Sequence, residues 1–243
     1  MTDEVRISNR DGGILELELN RPEQGNALTP AMAMAISDAL RNLDAETRVV
    51  VIRASGKDFC TGRAPGAMPA PGSRATALDL RRQVSDPVLD FYEALRIAAV
   101  PVIAEVRGRA AGVGCAIAAL ADVAVAADTA TFQVPEMNHD IAPTLVMDAL
   151  CDRLPRAALA RLVLTRDTVA AQEAKALGLI GSVVAEERLG AEVERVVAQL
   201  AKNSPPVLRG VKAFLSRAPE ASFATRKELA ALINSSVTAE RFR

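Results

Sequence analysis

Residues 14–20, ILELELN, alternate apolar and acidic side chains, the period-two pattern of a strand with one buried face. RVVVIRAS, residues 48–55, is an almost unbroken apolar run and reads as a strand buried on both faces. Between them Thr29 and Pro30 open a helical pattern that continues through Leu43, with the cap and first-turn proline of a helix start. The same reading predicts strands at 101–106 and 122–127 and a helix at 113–120. This alternation favours an α/β layer fold over an all-β one. Residues 65–73, PGAMPAPGS, form a Pro- and Gly-rich loop, and helical periodicity returns over 75–99. Beyond Pro155 the pattern reads as wholly helical, at 156–164, 170–177, 189–202, 207–215 and 223–239. No internal repeat or low-complexity tract interrupts it.

Composition narrows what such a fold can do. Only 3% of the 243 residues are aromatic and none is Trp, so the core must be built from Ala, Val, Leu and Ile. A formal charge of −1 supplies no general field for nucleic acid or an anionic membrane, so neither is expected as a partner. The longest apolar run, 110–121, is too short to span a bilayer. Cys60, Cys115 and Cys151 form no C-x-x-C pair, and their odd number fits a reduced compartment better than a disulfide framework. The opening MTDEVRISNRDGG has no basic segment leading into an apolar one, and a cytoplasmic protein is expected.

The stretch GRAAGVGCAIAALADV, residues 108–123, puts three glycines before a small-residue helix and carries almost no reactive side chain. It is not a P-loop, because Cys115 and Ala116 follow Gly114 where Lys and Ser or Thr belong. Nor is it a dinucleotide fingerprint, since G-x-G-x-x-G started at Gly112 reaches Ile117. A nucleophilic hydrolase lacks G-x-S-x-G and has only His139 as a base, and Cys115 reads as a small core residue. What remains is backbone N–H chemistry: two donors that stabilise an oxygen becoming negative, with a carboxylate nearby to move protons.

NRPEQGNALTPAM (20–32), FCTGRAPG (59–66), PVIAEVRGRAAGVGCAIAALADVAVAA (101–127), ATFQVPE (130–136) and LTRDTVAAQEAKALGLIGSVV (164–184) resemble, in this order, the signature segments of the crotonase family. These are the enoyl-CoA hydratases and isomerases, and the resemblance runs from about residue 14 to 217. It implies an α/β fold, a crotonase-like spiral of β-β-α units with a helical C-terminal region. The expected division is a core at 1–185 for acyl-CoA binding and catalysis, and a helical region at 186–243 for oligomerisation and site closure.

The resemblance also implies an oxyanion hole for a thioester enolate, made by the main-chain N–H groups of Arg63 and Val113, with Gly112 beside the latter. An enolate oxygen at the N-terminus of the 113–120 helix would meet aligned N–H dipoles, and losing one such donor costs about 3 kcal/mol. Of the two glutamates that the family's hydratases use, the first falls on Ala116 and the second on Glu136. A lone carboxylate at Glu136 matches the family's double-bond isomerases, as does the apolar IAP of 141–143. Asp140 stands where glycine is usual, either as a second carboxylate that restores hydration or as a loop residue that is solvated or caps the following helix. CoA is expected along Ala27, Leu28, Arg63, Ala64, Pro65 and Gly66. It enters as part of the substrate, with no separate cofactor and no metal. Arg107 and Arg109 add charge near the turn, though Glu105 and Arg107 share a strand face and are placed to pair. Isomerisation is the expected reaction, with a hydratase using Glu136 and Asp140, or a degenerate acyl-CoA binding protein, as alternatives. A homotrimer or a dimer of trimers is expected.

Overall fold

The computed structural model describes residues 4–64, 72, 74–239 and 242. The expected loop at 65–73 therefore lies, apart from Gly72, outside the described residues, as do Pro65 and Gly66. A six-stranded sheet runs in the order β1 (Val5–Arg10), β2 (Ile14–Leu19), β3 (Val49–Ala54), β4 (Val102–Val106), β6 (Val123–Ala127) and β9 (Ser182–Val184). Only β1 and β2 are antiparallel; every later neighbour is parallel. A three-stranded layer holds β5 (Arg109–Ala111), β7 (Thr131–Gln133) and β8 (Val169–Ala170).

The two sheets share a repeating logic. β4 gives a strand to the large sheet, β5 gives one to the small layer, and α4 (Val113–Leu120) follows. β6, β7 and α5 (Thr144–Leu150) repeat that unit. Earlier turns of the spiral add single bridges to the small layer, Cys60 to Ala110 and Leu28 to Arg63. Parallel neighbours need such crossovers, and the result is a stack in which the second strand of each unit ends at one edge.

Helix α1 (Pro30–Arg41) starts as its sequence signals, with the Thr29 hydroxyl accepting the Met32 N–H at 3.1 Å and proline in the first turn. It packs on α3 (Asp86–Arg96), which the short α2 (Ala77–Leu80) and one π-helical turn at Arg81–Ser85 precede. Every residue of α4 is buried, which is why the helix is apolar all round rather than striped. Its Gly114 is required by contact: a Cβ there would fall 2.2 Å from the Cys60 carbonyl oxygen. Helix α4 is thereby pressed directly onto the 59–62 segment.

After α6 (Arg156–Thr165) the expectation of helix alone is overturned, because β8 and β9 lie on either side of α7 (Ala171–Leu177). Helices α8 (Leu189–Ala201), α9 (Pro205–Arg217) and α10 (Phe223–Ala239) form the helical end of the chain. Helix α8 covers β3, β4 and β6, where Glu194 meets Arg10 and Arg53. Helix α9 is anchored by Lys212, whose Nζ lies 2.9 and 2.8 Å from the two carboxylate oxygens of Asp122. Helix α10 packs along α9 yet buries none of its residues. Among the described residues no helix is long and apolar enough to cross a membrane.

Candidate active site

Where the small layer ends, four segments meet: residues 26–28, 60–63, 110–113 and the turn that begins at Glu136. Asn26 sets the first. It is fully buried at φ 54°, accepts the Arg21 N–H at 2.7 Å, and donates to the carbonyls of Ser55 and Asp58 at 2.8 Å each. That side chain replaces a missing strand partner for three backbone groups and so fixes the path into Ala27 and Leu28. Nothing in a reading of NRPEQGNALTPAM assigned Asn26 a role, although Asn directly after Gly is a signal for a left-handed turn.

The second and third segments are tied by Asp58 and Arg109. The carboxylate accepts the Arg109 main-chain N–H at 3.1 Å and two guanidinium N–H groups at 3.0 and 2.7 Å. Arg109 holds the Asp58 carboxyl below its usual range. Arg107 is paired with Glu105 at 2.9 Å, so both arginines beside the glycine turn are engaged by carboxylates.

The main-chain directions at the turn follow from these bridges. Leu28 N–H donates to the Gly62 carbonyl, and Ala64 N–H donates to that of Leu28, which in a parallel bridge points the Arg63 amide away from Leu28. Gly62 itself touches Gly112, its Cα lying 3.7 Å from where a Gly112 Cβ would be. Gly112 sits at φ 52°, ψ −116°, a conformation open to glycine, and its N–H is taken by the Gln133 carbonyl at 3.0 Å. Val113, first residue of α4, has no intrahelical acceptor, and among the described residues no other acceptor meets its N–H.

Glu136 opens a single 3₁₀ turn, Glu136–His139, and its carboxylate lies on this glycine face. Oε1 would be 2.6 Å from a Gly112 Cβ, and Oε2 is buried with no hydrogen-bond partner among the described residues. Burial raises the Glu136 carboxyl above its usual range, with its own main-chain N–H and His139 opposing. A half-buried carboxylate biased toward protonation beside helix N–H groups is suited to taking and returning protons. Ala116, one turn into α4, is fully buried and offers only a methyl group.

Asp140 lies elsewhere. It is exposed at φ 56°, with its N–H on the Met137 carbonyl, and it lines a groove of about 520 Å³ with Ile141, Pro143, Met147 and Leu164. The residue at the cap position of α5 is Pro143, so Asp140 closes the 3₁₀ turn rather than starting the next helix. The thiols of Cys60 and Cys115 are buried and pushed up to about 11 and about 12, which removes both as nucleophiles.

Leu28 and Arg63 open on a cavity of about 310 Å³ between α1 and α3, lined also by Met34, Gln83 and Val88. Burial lowers the Arg63 guanidinium below its usual value. Among the described residues no cluster of three His, Cys, Asp or Glu side chains is placed to hold a metal ion.

The chain is similar to known proteins over nearly all its length. The family model for enoyl-CoA hydratase/isomerase matches residues 9–241. Human enoyl-CoA hydratase domain-containing protein 3, mitochondrial, is 32% identical over 211 residues, covering 86% of this chain and 68% of that protein. The crystal structure of an enoyl-CoA hydratase from Mycobacterium smegmatis superposes with a TM-score of 0.90 at 30% identity, covering 96% of this chain and 90% of that one. A structure from Thermobifida fusca YX in complex with acetoacetyl-CoA gives a TM-score of 0.85 at 28% identity, covering 98% and 96%. These neighbours share the spiral of β-β-α units described above.

Proposed function

The chain belongs to the enoyl-CoA hydratase/isomerase family, and from that premise we propose an acyl-CoA enzyme that stabilises a thioester enolate and shifts a carbon-carbon double bond. The amides of Arg63 and Val113 hold the thioester oxygen. Glu136, ionised, takes a proton from C2 of a 3-enoyl-CoA; the electron pair moves onto the oxygen as the dienolate forms; the carboxylic acid then returns the proton to C4. One observation carries this reading: the Glu136 carboxylate rests on Gly112 at the start of α4, while the position that would bear a second glutamate is the buried Ala116.

The CoA portion is assigned to Ala27, Leu28, Arg63, Ala64, Pro65 and Gly66, of which Leu28 and Arg63 line the 310 Å³ cavity. Support for an acyl-CoA comes from the Thermobifida fusca neighbour, which was solved with acetoacetyl-CoA. Hydration is the second reading, because the Mycobacterium smegmatis neighbour is named an enoyl-CoA hydratase and the human relative is named for an enoyl-CoA hydratase domain. It would have to proceed with Glu136 alone, since Asp140 is exposed at the end of its turn. A cytoplasmic homotrimer or dimer of trimers is the proposed form, supported by free thiols at Cys60, Cys115 and Cys151 and by a last helix that buries nothing in the single chain.

The test is to offer 3-enoyl-CoA and 2-enoyl-CoA to the wild type and to Glu136→Gln. Isomerisation by the wild type with a loss of about 10²- to 10⁴-fold in the variant is expected. Equal rates on every acyl-CoA would remove Glu136 from the chemistry, and tight CoA binding without turnover of either substrate would mark a binding protein.

A further inference from the structure

Residues 57–62 and 107–112 run side by side toward the glycine face, and the pairing between them breaks once. Phe59 N–H donates to the Arg107 carbonyl and Cys60 N–H to that of Arg109, so one step on the first segment spans two on the second. The extra residue is Gly108, at φ 56°, where a Cβ would fall 2.1 Å from the Lys57 carbonyl oxygen and 3.0 Å from Asp58 Oδ1. This is a β-bulge in a parallel pair, and a bulge leaves a backbone group without its rung. Continued back from the Cys60–Ala110 bridge, regular pairing would put the Arg109 N–H on the Asp58 carbonyl. That carbonyl instead takes the Asn26 side chain at 2.8 Å, and the Asp58 carboxylate takes the Arg109 N–H at 3.1 Å, with Nε and Nη2 at 3.0 and 2.7 Å. Past the bulge the pairing is regular again, with Ala111 N–H on the Cys60 carbonyl at 2.9 Å and Gly62 reaching Gly112.

The Asp58 side chain is 6% exposed and that of Arg109 60%, so a buried carboxylate closes the break from within and a guanidinium clamps it from the surface. What lies past the break is the chemistry: Arg63 comes five residues after Asp58, and Val113 four after Arg109. We propose that Asp58 and Arg109 are positioning residues of the oxyanion hole: their hydrogen bonds across the bulge set the stagger of the two segments, and with it the separation of the Arg63 and Val113 amides. Without the carboxylate, Asn26 still holds the Asp58 carbonyl while the 107–109 stretch loses its tether, and the segments part at the bulge. This rests on the reading of those two amides as the donors to the thioester oxygen.

Asp58→Ala removes every bond of the tie, and Arg109→Gln removes the guanidinium fork at an exposed side chain. Turnover is expected to fall about 10- to 100-fold in kcat for the first and about 10-fold for the second, with KM within about 3-fold. Because the two residues act as one tie, the double variant should lose no more than Asp58→Ala alone. The thioester carbonyl stretch of a bound saturated acyl-CoA, lowered by two donors in the wild type, should move back toward its free value in both variants and stay in place in Glu136→Gln. Lys212→Met breaks an ion pair beyond the far end of α4, so it should lower stability and leave kcat and the stretch alone. In ligand-free protein labelled on arginine and valine nitrogen, the Arg63 and Val113 amide resonances should move in Arg109→Gln and not in Lys212→Met, which tests the tie without substrate and without the buried variant. A carbonyl stretch and amide resonances unchanged in Arg109→Gln overturn the proposal. Moved amides with a stretch that never shifts on binding keep the tie and overturn the oxyanion reading instead.

Discussion

Gly112→Ala places one methyl group between the two halves of the site. Its backbone angles, φ 52° and ψ −116°, cost an L-residue roughly 1–3 kcal/mol. Its new Cβ falls 2.6 Å from Glu136 Oε1, where ordinary contact begins at 3.4 Å, so the oxygen must retreat by about 0.8 Å. The far end of a glutamate yields more easily than backbone, and Gly62 Cα at 3.7 Å is already an ordinary neighbour, so the movement falls on the carboxylate. Misplacing a catalytic group by about 1 Å costs on the order of 10²-fold in rate. The variant is therefore expected to lose about 1–3 kcal/mol in urea unfolding and about 100-fold in exchange of the C2 proton of a saturated acyl-CoA into deuterated water. Gly12→Ala is the control. Its φ of 85° is also unfavourable, but its Cβ meets nothing within 4 Å, so about 1 kcal/mol of stability goes and exchange is retained. A Gly112→Ala protein that exchanges at the wild-type rate would show that the carboxylate seated on this glycine is not the base.

Other changes probe separate parts of the same account. Val113→Pro removes the N–H assigned to the enolate oxygen at a helix position where proline is favoured, so the fold should survive while kcat/KM drops about 10²- to 10³-fold in steady-state assays. Because burial raises the Glu136 carboxyl, the folded state holds that proton more tightly than the unfolded chain does. Its stabilising effect is full below the usual 4.5 and is lost as pH rises through the folded value, so Glu136→Gln should unfold at higher urea than the wild type near neutral pH and show no such advantage in acid. Lys212→Met leaves the half-buried Asp122 carboxylate without its cation and should cost about 2–4 kcal/mol by thermal unfolding. Adding Asp122→Asn, which keeps an acceptor for the Val102 N–H, should recover part of it.

The elements legible in the sequence are those whose own side chains decide them. The 113–120 helix was readable to the residue, since a glycine turn opens it and its wholly apolar run must be interior. β2, β3, β4 and β6 were readable from alternation or continuous burial. β8 and β9 were not, because two or three residues cannot display a period; Ser182–Val184 is a strand only because β6 offers it an edge. The site divides in the same way. Glu136 and the glycine turn belong to local segments with a family resemblance. The Asp58–Arg109 tie spans 51 positions, and no local pattern announces it.

Gly112 follows directly from β5 and Glu136 comes three positions after the last residue of β7, and those strands are bound in fixed register, Ala111 beside Gln133, with the Gly112 N–H on the Gln133 carbonyl. The spacing between proton carrier and enolate pocket is thus gauged by one rung of a ribbon three residues long. Breathing of the surrounding helices shifts both partners as a pair and leaves their separation alone. A slip of a single rung would turn every side chain of the ribbon over and separate the two outright.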